Sequence, residues 1–333
     1  MNVLLTGGMG YIGSHVAVVL LQAGHHVVLY DNLSNSEVGV LTRIGQITGK
    51  TPIFMEADIR ATKTLTDALK HHAIGAVMHF AGLKAVGESV EKPVEYYANN
   101  VEGSISLMEA MCEAGVRSLV FSSSATVYGE PRYLPLDEAH PLSATNPYGR
   151  SKLHIEEMLR DLSVSDPDWR IASLRYFNPV GAHESGLIGE KPTGIPNNLM
   201  PYIARVAAGE LKELSVFGDD YPTPDGTGIR DYIHVMDLAE GHAAALPWLT
   251  GHPGWHVINL GTGQGYSVLE MVAAFAKASD RAIPYRIAPR RAGDIAACYA
   301  NPEKALRELS WQARRDLVDM CQSAWKFVLQ TAI

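Results

Sequence analysis

The sequence predicts an α/β fold, a doubly wound parallel sheet joined to a smaller α/β lobe. Three observations carry this expectation. Short β-branched and apolar runs alternate with helix-spaced patterns through the first half of the chain, as the strands and crossover helices of a parallel sheet do. A glycine-rich turn stands directly between the first strand run and the first helical pattern. After about Tyr176 the texture changes: Gly, Pro and Asn recur from 178 to 228, which marks a loop-rich lobe.

In chain order, residues 2–6, 26–30, 52–56, 76–80 and 118–122 read as buried strands, and 12–23, 62–71, 96–114 and 151–162 as helices. A helical stretch at 235–245 and a strand-like one at 256–260 repeat the texture of the first half, so the chain is expected to return to the sheet over about 231–260. This divides the protein into a first domain, 1–176 with those return segments, and a second lobe, 177–333. Such sheets take ligands beyond the carboxyl ends of their strands, at the point where strand order reverses. Every motif below lies at such an end or in the loop after it.

Composition limits the function classes. The 333 residues are 47% hydrophobic and 19% charged, as in ordinary globular proteins. A net charge of -8 argues against nucleic acid and anionic membrane surfaces as partners. Cys112, Cys298 and Cys321 are widely spaced and form no CxxC, so neither a disulfide framework nor a metal site is expected. His234-Val235-Met236-Asp237 has no further ligands clustered with it and reads as a helix start. No run reaches the roughly 18 apolar residues of a membrane-spanning helix. The chain opens on a strand-like run without a basic or apolar leader, which makes the cytoplasm the expected compartment.

Thr6-Gly7-Gly8-Met9-Gly10-Tyr11-Ile12-Gly13 follows the first strand and opens the first helix. Glycines there permit a tight turn, close backbone approach to a pyrophosphate, and packing of helix on strand. The helix N-terminus offers free N–H groups and partial positive charge to phosphates, placing Gly7, Gly10, Tyr11, Ile12 and Gly13 at a dinucleotide. Asp31 closes the second strand, where a carboxylate accepts from ribose hydroxyls and repels a 2′-phosphate. The run Asp31-Asn32-Leu33-Ser34-Asn35-Ser36 contains no arginine, so NAD is expected rather than NADP. Asp58-Ile59 after the third strand is placed to meet adenine. Phe80-Ala81-Gly82 after the fourth is small enough to let the cofactor pass. Together these define a Rossmann arrangement.

Tyr148 and Lys152 stand four apart, on one side of a helix. An ammonium near a phenol favours the phenolate, which makes tyrosine a usable base for a hydroxyl near neutral pH. Asn146-Pro147 precedes the pair and can start the helix with Pro in its first position. The fifth strand ends in Ser122-Ser123-Ser124, whose hydroxyls can reach cofactor and substrate.

The ordered motifs TGGxGYIG, DNLxNS, FAGLKAVGES, SSSATVYG, YGxSK and LRYFNPVGA resemble the extended short-chain dehydrogenases, and in particular their UDP-glucose 4-epimerase branch. The resemblance covers residues 3 to about 311. It implies NAD, a UDP-sugar substrate and a homodimer. Tyr148 would be the base, Lys152 its electrostatic partner, and Ser124 the hydrogen-bonding partner of the sugar O4, with Thr126 beside it. Nicotinamide and ribose contacts would fall on Lys84, Asn99, Ser122 and Phe177, with Lys84 also near the substrate. UDP-sugar contacts would fall on Asn178, Asn197, Asn198, Leu199, Ser215, Val216, Phe217, Arg230, Arg291 and Asp294, the two arginines clamping the diphosphate.

Related dehydratases use an Asp-Glu pair beside the active-site hydroxyl, but here Ser124-Ala125-Thr126 has no carboxylate before Glu130. Oxidation to a uronic acid would need a cysteine nucleophile near the nicotinamide, whereas Cys112 sits inside a helical pattern. Reversible oxidation at C4, hence epimerisation of UDP-galactose and UDP-glucose, is the expected reaction. In the family it resembles, members restricted to UDP-hexoses tend to carry tyrosine where this chain has Cys298. The smaller residue leaves room for an acetamido group, which implies turnover of UDP-GalNAc and UDP-GlcNAc as well. Epimerisation of UDP-uronic acids or UDP-pentoses, and a non-catalytic NAD-binding regulator, are the alternatives.

Overall fold

The computed structural model describes residues 1–192, 194, 196, 198–291 and 293–331. Its strands in chain order are β1 Asn2–Thr6, β2 His26–Asp31, β3 Ile53–Glu56, β4 Ala76–His79, β5 Ser118–Ser124, β6 Arg170–Tyr176 and β7 Asn178–Val180. They continue with β8 Leu214–Phe217, β9 Ile229–His234, β10 Gly254–Leu260, β11 Gly265–Ser267, β12 Tyr285–Ala288 and β13 Ala297–Cys298. The central sheet is seven-stranded and parallel throughout, in the order β10-β6-β5-β4-β1-β2-β3. Strand order reverses between β1 and β4. β10 rejoins the sheet beside β6, whereas β9, which opens the expected return segment, pairs in a separate small sheet with β7, β11 and β13.

Side chains alternate across a strand, and β1 shows the consequence. Val3 and Leu5 pack with helices Tyr11–Gln22 and Val235–Leu249 on one face. Leu4 packs on the other with helices Thr62–His71, Gly103–Ala114 and Pro147–Ser165. With both faces covered, the strand centres carry successive apolar residues, hence the continuous runs in the sequence. The second core, around Met200, Ile203, Val216, Tyr232, Phe275 and Met320, sits among helices Leu199–Ala207, Val268–Ser279 and Leu317–Thr331.

The helix expected over 96–114 is three pieces: Pro93–Tyr97, a π-helical turn at Ala98–Glu102, and Gly103–Ala114. The extra residue in that turn places Asn100 inward, where its side chain pairs with Leu83 and Ser151. The helix begins at Pro147, where Asn146-Pro147 can start it, ahead of the pattern read over 151–162: the Asn146 carboxamide accepts from the Gly149 N–H at 2.8 Å; such a cap contributes about 1 kcal/mol. His234 does start a helix, its Nδ1 accepting from the Met236 N–H.

Candidate active site

A parallel sheet directs all its strand carboxyl ends to one edge, so the loops after β1, β2, β4, β5 and β6 converge there. At the switch point the Gly7 turn lies directly against the Phe80-Ala81 turn. A Cβ on Gly7, which has φ +65°, would stand 2.7 Å from the Ala81 nitrogen, and one on Gly13 would stand 2.4 Å from the Gly7 carbonyl oxygen. Both positions therefore require glycine. Helix Tyr11–Gln22 begins at Gly10 without a side-chain cap, which leaves the N–H groups around Tyr11, Ile12 and Gly13 to serve an anion. The Tyr11 hydroxyl donates to the Gly181 carbonyl, just past β7, at 2.7 Å.

Asp31 is buried at the end of β2. One carboxylate oxygen accepts from the Met9 N–H at 3.0 Å and the other from the Leu33 N–H and Ser36 hydroxyl. The group thus binds the glycine turn to its own loop and keeps acceptor capacity for a diol. Asn32 bonds the Ser34 N–H and the Asp58 carboxylate, and Asn35 lies in the same loop. The Asp58 carboxylate takes a bidentate pair from Arg60, whose hydrogen bonds hold its carboxyl well below the usual range. Ile59 is buried against Gly103, where a Cβ would meet its Cγ2 at 2.6 Å. The uncapped helix end, the glycine contact and the buried carboxylate together suit a dinucleotide's diphosphate and ribose.

The catalytic candidates meet at the end of β5. Lys152 Nζ donates to the Ser122 carbonyl at 2.7 Å, lies 4.9 Å over the Phe121 ring, and stands 6.0 Å from the centre of the Tyr148 ring. The Ser122 hydroxyl is hydrogen-bonded to the Tyr176 hydroxyl. Ser124 accepts from the N–H and hydroxyl of Thr126. Spacing alone predicts a phenol lowered by its ammonium neighbour, but the folded protein by itself does the reverse. Burial pushes Tyr148 above its ordinary value, with a hydrogen bond from Ser124 opposing. Burial also draws Lys152 down to about 8, with Glu156 opposing.

Lys84 pairs with Glu190 at 2.8 Å, and Glu190 also accepts from the Asn198 carboxamide at 2.7 Å. This carboxylate between two expected ligand contacts is a residue the sequence reading missed. Asn99 donates to the Asn100 carboxamide, while Gly82 lies against the same group. Asn100 was also missed; its neighbour Asn99 was the only local signal. Phe177 is buried with Val127, Tyr128, Leu136, Cys298 and Ala300, and burial pushes the Cys298 thiol up to about 12.

Further along the chain, Asn178 opens β7 and is exposed, and Asn198 immediately precedes the helix that Leu199 begins. Asn197 lies outside the described residues. On β8, Ser215 is half-buried and Val216 points into the core, whereas the Phe217 ring is exposed with the Arg291 guanidinium 4.8 Å over it. Arg291 also pairs with Asp294 at 2.9 Å. Arg230 donates to the Ile229 and Ile295 carbonyls. The two arginines thus sit on adjoining segments, engaged by groups of their own chain. Among the described residues no three His, Cys, Asp or Glu side chains group to hold a metal, and no helix is long and apolar enough to cross a membrane.

The sequence profile of the NAD dependent epimerase/dehydratase family matches residues 3–261. The UDP-glucose 4-epimerase of Bacillus subtilis (strain 168) is 58% identical over 98% of this chain and 96% of its own. The crystal structure of the UDP-glucose-4-epimerase from Stenotrophomonas maltophila, with bound NAD and formylated UDP-arabinopyranose, is 55% identical. It superposes with a TM-score of 0.98, covering 100% of this chain and 99% of that one. The Bifidobacterium longum UDP-glucose 4-epimerase, in complex with NAD+ and UDP, is 52% identical with a TM-score of 0.96, covering 100% and 99%. The chain belongs to the NAD dependent epimerase/dehydratase family.

Proposed function

We propose that the protein is an NAD-dependent UDP-glucose 4-epimerase, interconverting UDP-galactose and UDP-glucose through a transient 4-keto sugar. The observation that carries the reading is the half-buried Tyr148 and the buried Lys152 beside Ser124, on the same sheet edge as the uncapped glycine turn. Bound NAD supplies what side chains lack, a two-electron acceptor that takes hydride from C4 and returns it. Tyr148 takes the proton of the O4 hydroxyl and later gives it back to the same oxygen. Ser124 hydrogen-bonds O4 and keeps it within reach of the phenol. Lys152, anchored on the Ser122 carbonyl and mostly charged at neutral pH, offsets the burial that otherwise keeps Tyr148 protonated.

Residues 177–333 carry the UDP-sugar contacts in this reading, with Arg230 and Arg291 turned from their own-chain partners to the diphosphate. Thr126, not a carboxylate, touches Ser124, which favours epimerisation over elimination. Cys298 leaves space beside C2, so UDP-GalNAc and UDP-GlcNAc are included among the substrates. A homodimer in which the helical segments 96–114 and 151–162 pair with their copies in a four-helix contact belongs to this reading; light scattering on the purified protein checks it. A cytoplasmic setting, supported by three unpaired cysteines, is checked by cell fractionation.

The test is to incubate the NAD-supplied protein with UDP-galactose and follow the sugar by NMR. Conversion to a UDP-glucose and UDP-galactose mixture without net NADH is expected. No conversion, or NADH accumulating with product, overturns the reading. Tyr148→Phe should lower turnover by about 10²–10⁴-fold.

A further inference from the structure

We propose that Glu156 is a positioning residue for this reaction, the buried anion that keeps Lys152 charged and the serine strand end in place behind Tyr148. The inference rests on the epimerase reading of Tyr148 and Lys152. Glu156 stands four residues after Lys152 on the same helix, hence on the same side. Its side chain is 1% exposed and that of its partner Arg175 is 2% exposed. Arg175 Nε donates to Oε1 at 2.9 Å and a second guanidinium nitrogen donates to Oε2 at 2.5 Å. The Ser123 hydroxyl, between the two serines of the site, donates to Oε1 at 2.5 Å. Glu156 therefore grips β5 at the residue between Ser122 and Ser124.

A buried ion pair is weak evidence of a stabilising role, since apolar residues of similar volume often do as well or better. The surroundings of Lys152 give it a second purpose. On its own helix Lys152 meets Tyr148 and Glu156, and on β5 the Ser122 carbonyl and Phe121 ring. On β4 it faces His79, which burial and the nearby ammonium hold neutral, its pKa about 3. On β6 stand Arg175, paired with Glu156, and Tyr176, whose phenol burial raises. Of these groups Glu156 carries the negative charge. Without it, two cations, Lys152 and Arg175, would share one dry site, and the ammonium would shed its proton at lower pH.

The experiment measures kcat and KM against pH for UDP-galactose with NAD-saturated Glu156→Gln, Arg175→Met and their double variant, each checked for folding by circular dichroism. In Glu156→Gln the alkaline limb of kcat should move to lower pH by about one unit, with KM little changed. In Arg175→Met, where the carboxylate loses its competitor, the limb should move up. The double variant carries neither charge and guards against a misfolded single variant; its limb should lie between Glu156→Gln and wild type. Activity losses with unmoved limbs mark Glu156 as merely structural and overturn the proposal. Tyr148→Phe is run alongside. If it keeps wild-type turnover the epimerase reading itself fails, whereas unmoved limbs with an inactive Tyr148→Phe sink only the role of Glu156.

Discussion

His242 offers a quantitative check on how dry the interior beside the site is. It lies wholly buried on helix Val235–Leu249, with its ring centre 5.0 Å from that of Phe80 and 5.6 Å from that of Tyr176. Nδ1 is hydrogen-bonded to the Leu238 carbonyl at 2.9 Å, and Nε2 has no partner among the described residues. Burial lowers its pKa from 6.5 to about 4. Below pH 6.5 the unfolded chain binds a proton there and the folded protein does not. Stability therefore falls as pH falls from about 6.5 to about 4 and is untouched by this group above that window. The loss is about 1.4 kcal/mol at pH 5.5 and roughly zero at pH 7.5. His242→Phe removes the titration, and any change in packing is common to both pH values and cancels. Urea unfolding of both proteins without cofactor, at pH 7.5 and 5.5, should show the variant losing about 1.4 kcal/mol less on acidification. Equal losses in the two proteins would refute the reasoning. His15, His79 and His234 are shifted the same way, to about 4, 3 and 3. The wild-type acid limb should accordingly be steep, approaching four protons.

Other outcomes test the site. Gly13→Ala forces a Cβ to within 2.4 Å of a backbone oxygen and should cost roughly 1–3 kcal/mol by thermal unfolding, with loss of NAD affinity; an unchanged melting curve would contradict the packing. Asp31→Asn removes the charged acceptor at the end of β2 and should weaken NAD about tenfold or more. It should also narrow the discrimination against NADP, both read by fluorescence titration. Cys298→Tyr should abolish turnover of UDP-GalNAc while leaving that of UDP-galactose within several-fold; equal losses on both sugars would show that Cys298 does not set pocket width.

The glycine turn, Asp31 and the tyrosine–lysine pair were legible because each depends on one strand end or one helix face. Position along the chain therefore fixes where each group stands on its own element. The strands were legible for a similar reason: burial on both faces of β1, β4 and β5 demands successive apolar residues at their centres, such as Leu119 to Phe121 in β5. Less was readable where a conformation answers to distant partners. The π-helical turn at Ala98–Glu102 exists to bring Asn100 to Leu83 and Ser151, 17 and 51 residues away. Nothing in the local sequence interrupts the helical pattern there.

The sequence by itself determined the parallel sheet and the place of the glycine turn after its first strand, and it nominated Tyr148 and Lys152 as the candidate reacting groups, since these follow from local periodicity and residue chemistry. Only the tertiary structure decided their electrostatic state. Burial raises Tyr148 and lowers Lys152; Glu156 joins Arg175 from β6, and Glu190 joins Lys84 from a loop 106 residues on. Desolvation and charge pairing depend on what the whole fold packs around a group, and that is set by the joint arrangement of segments rather than by any one of them.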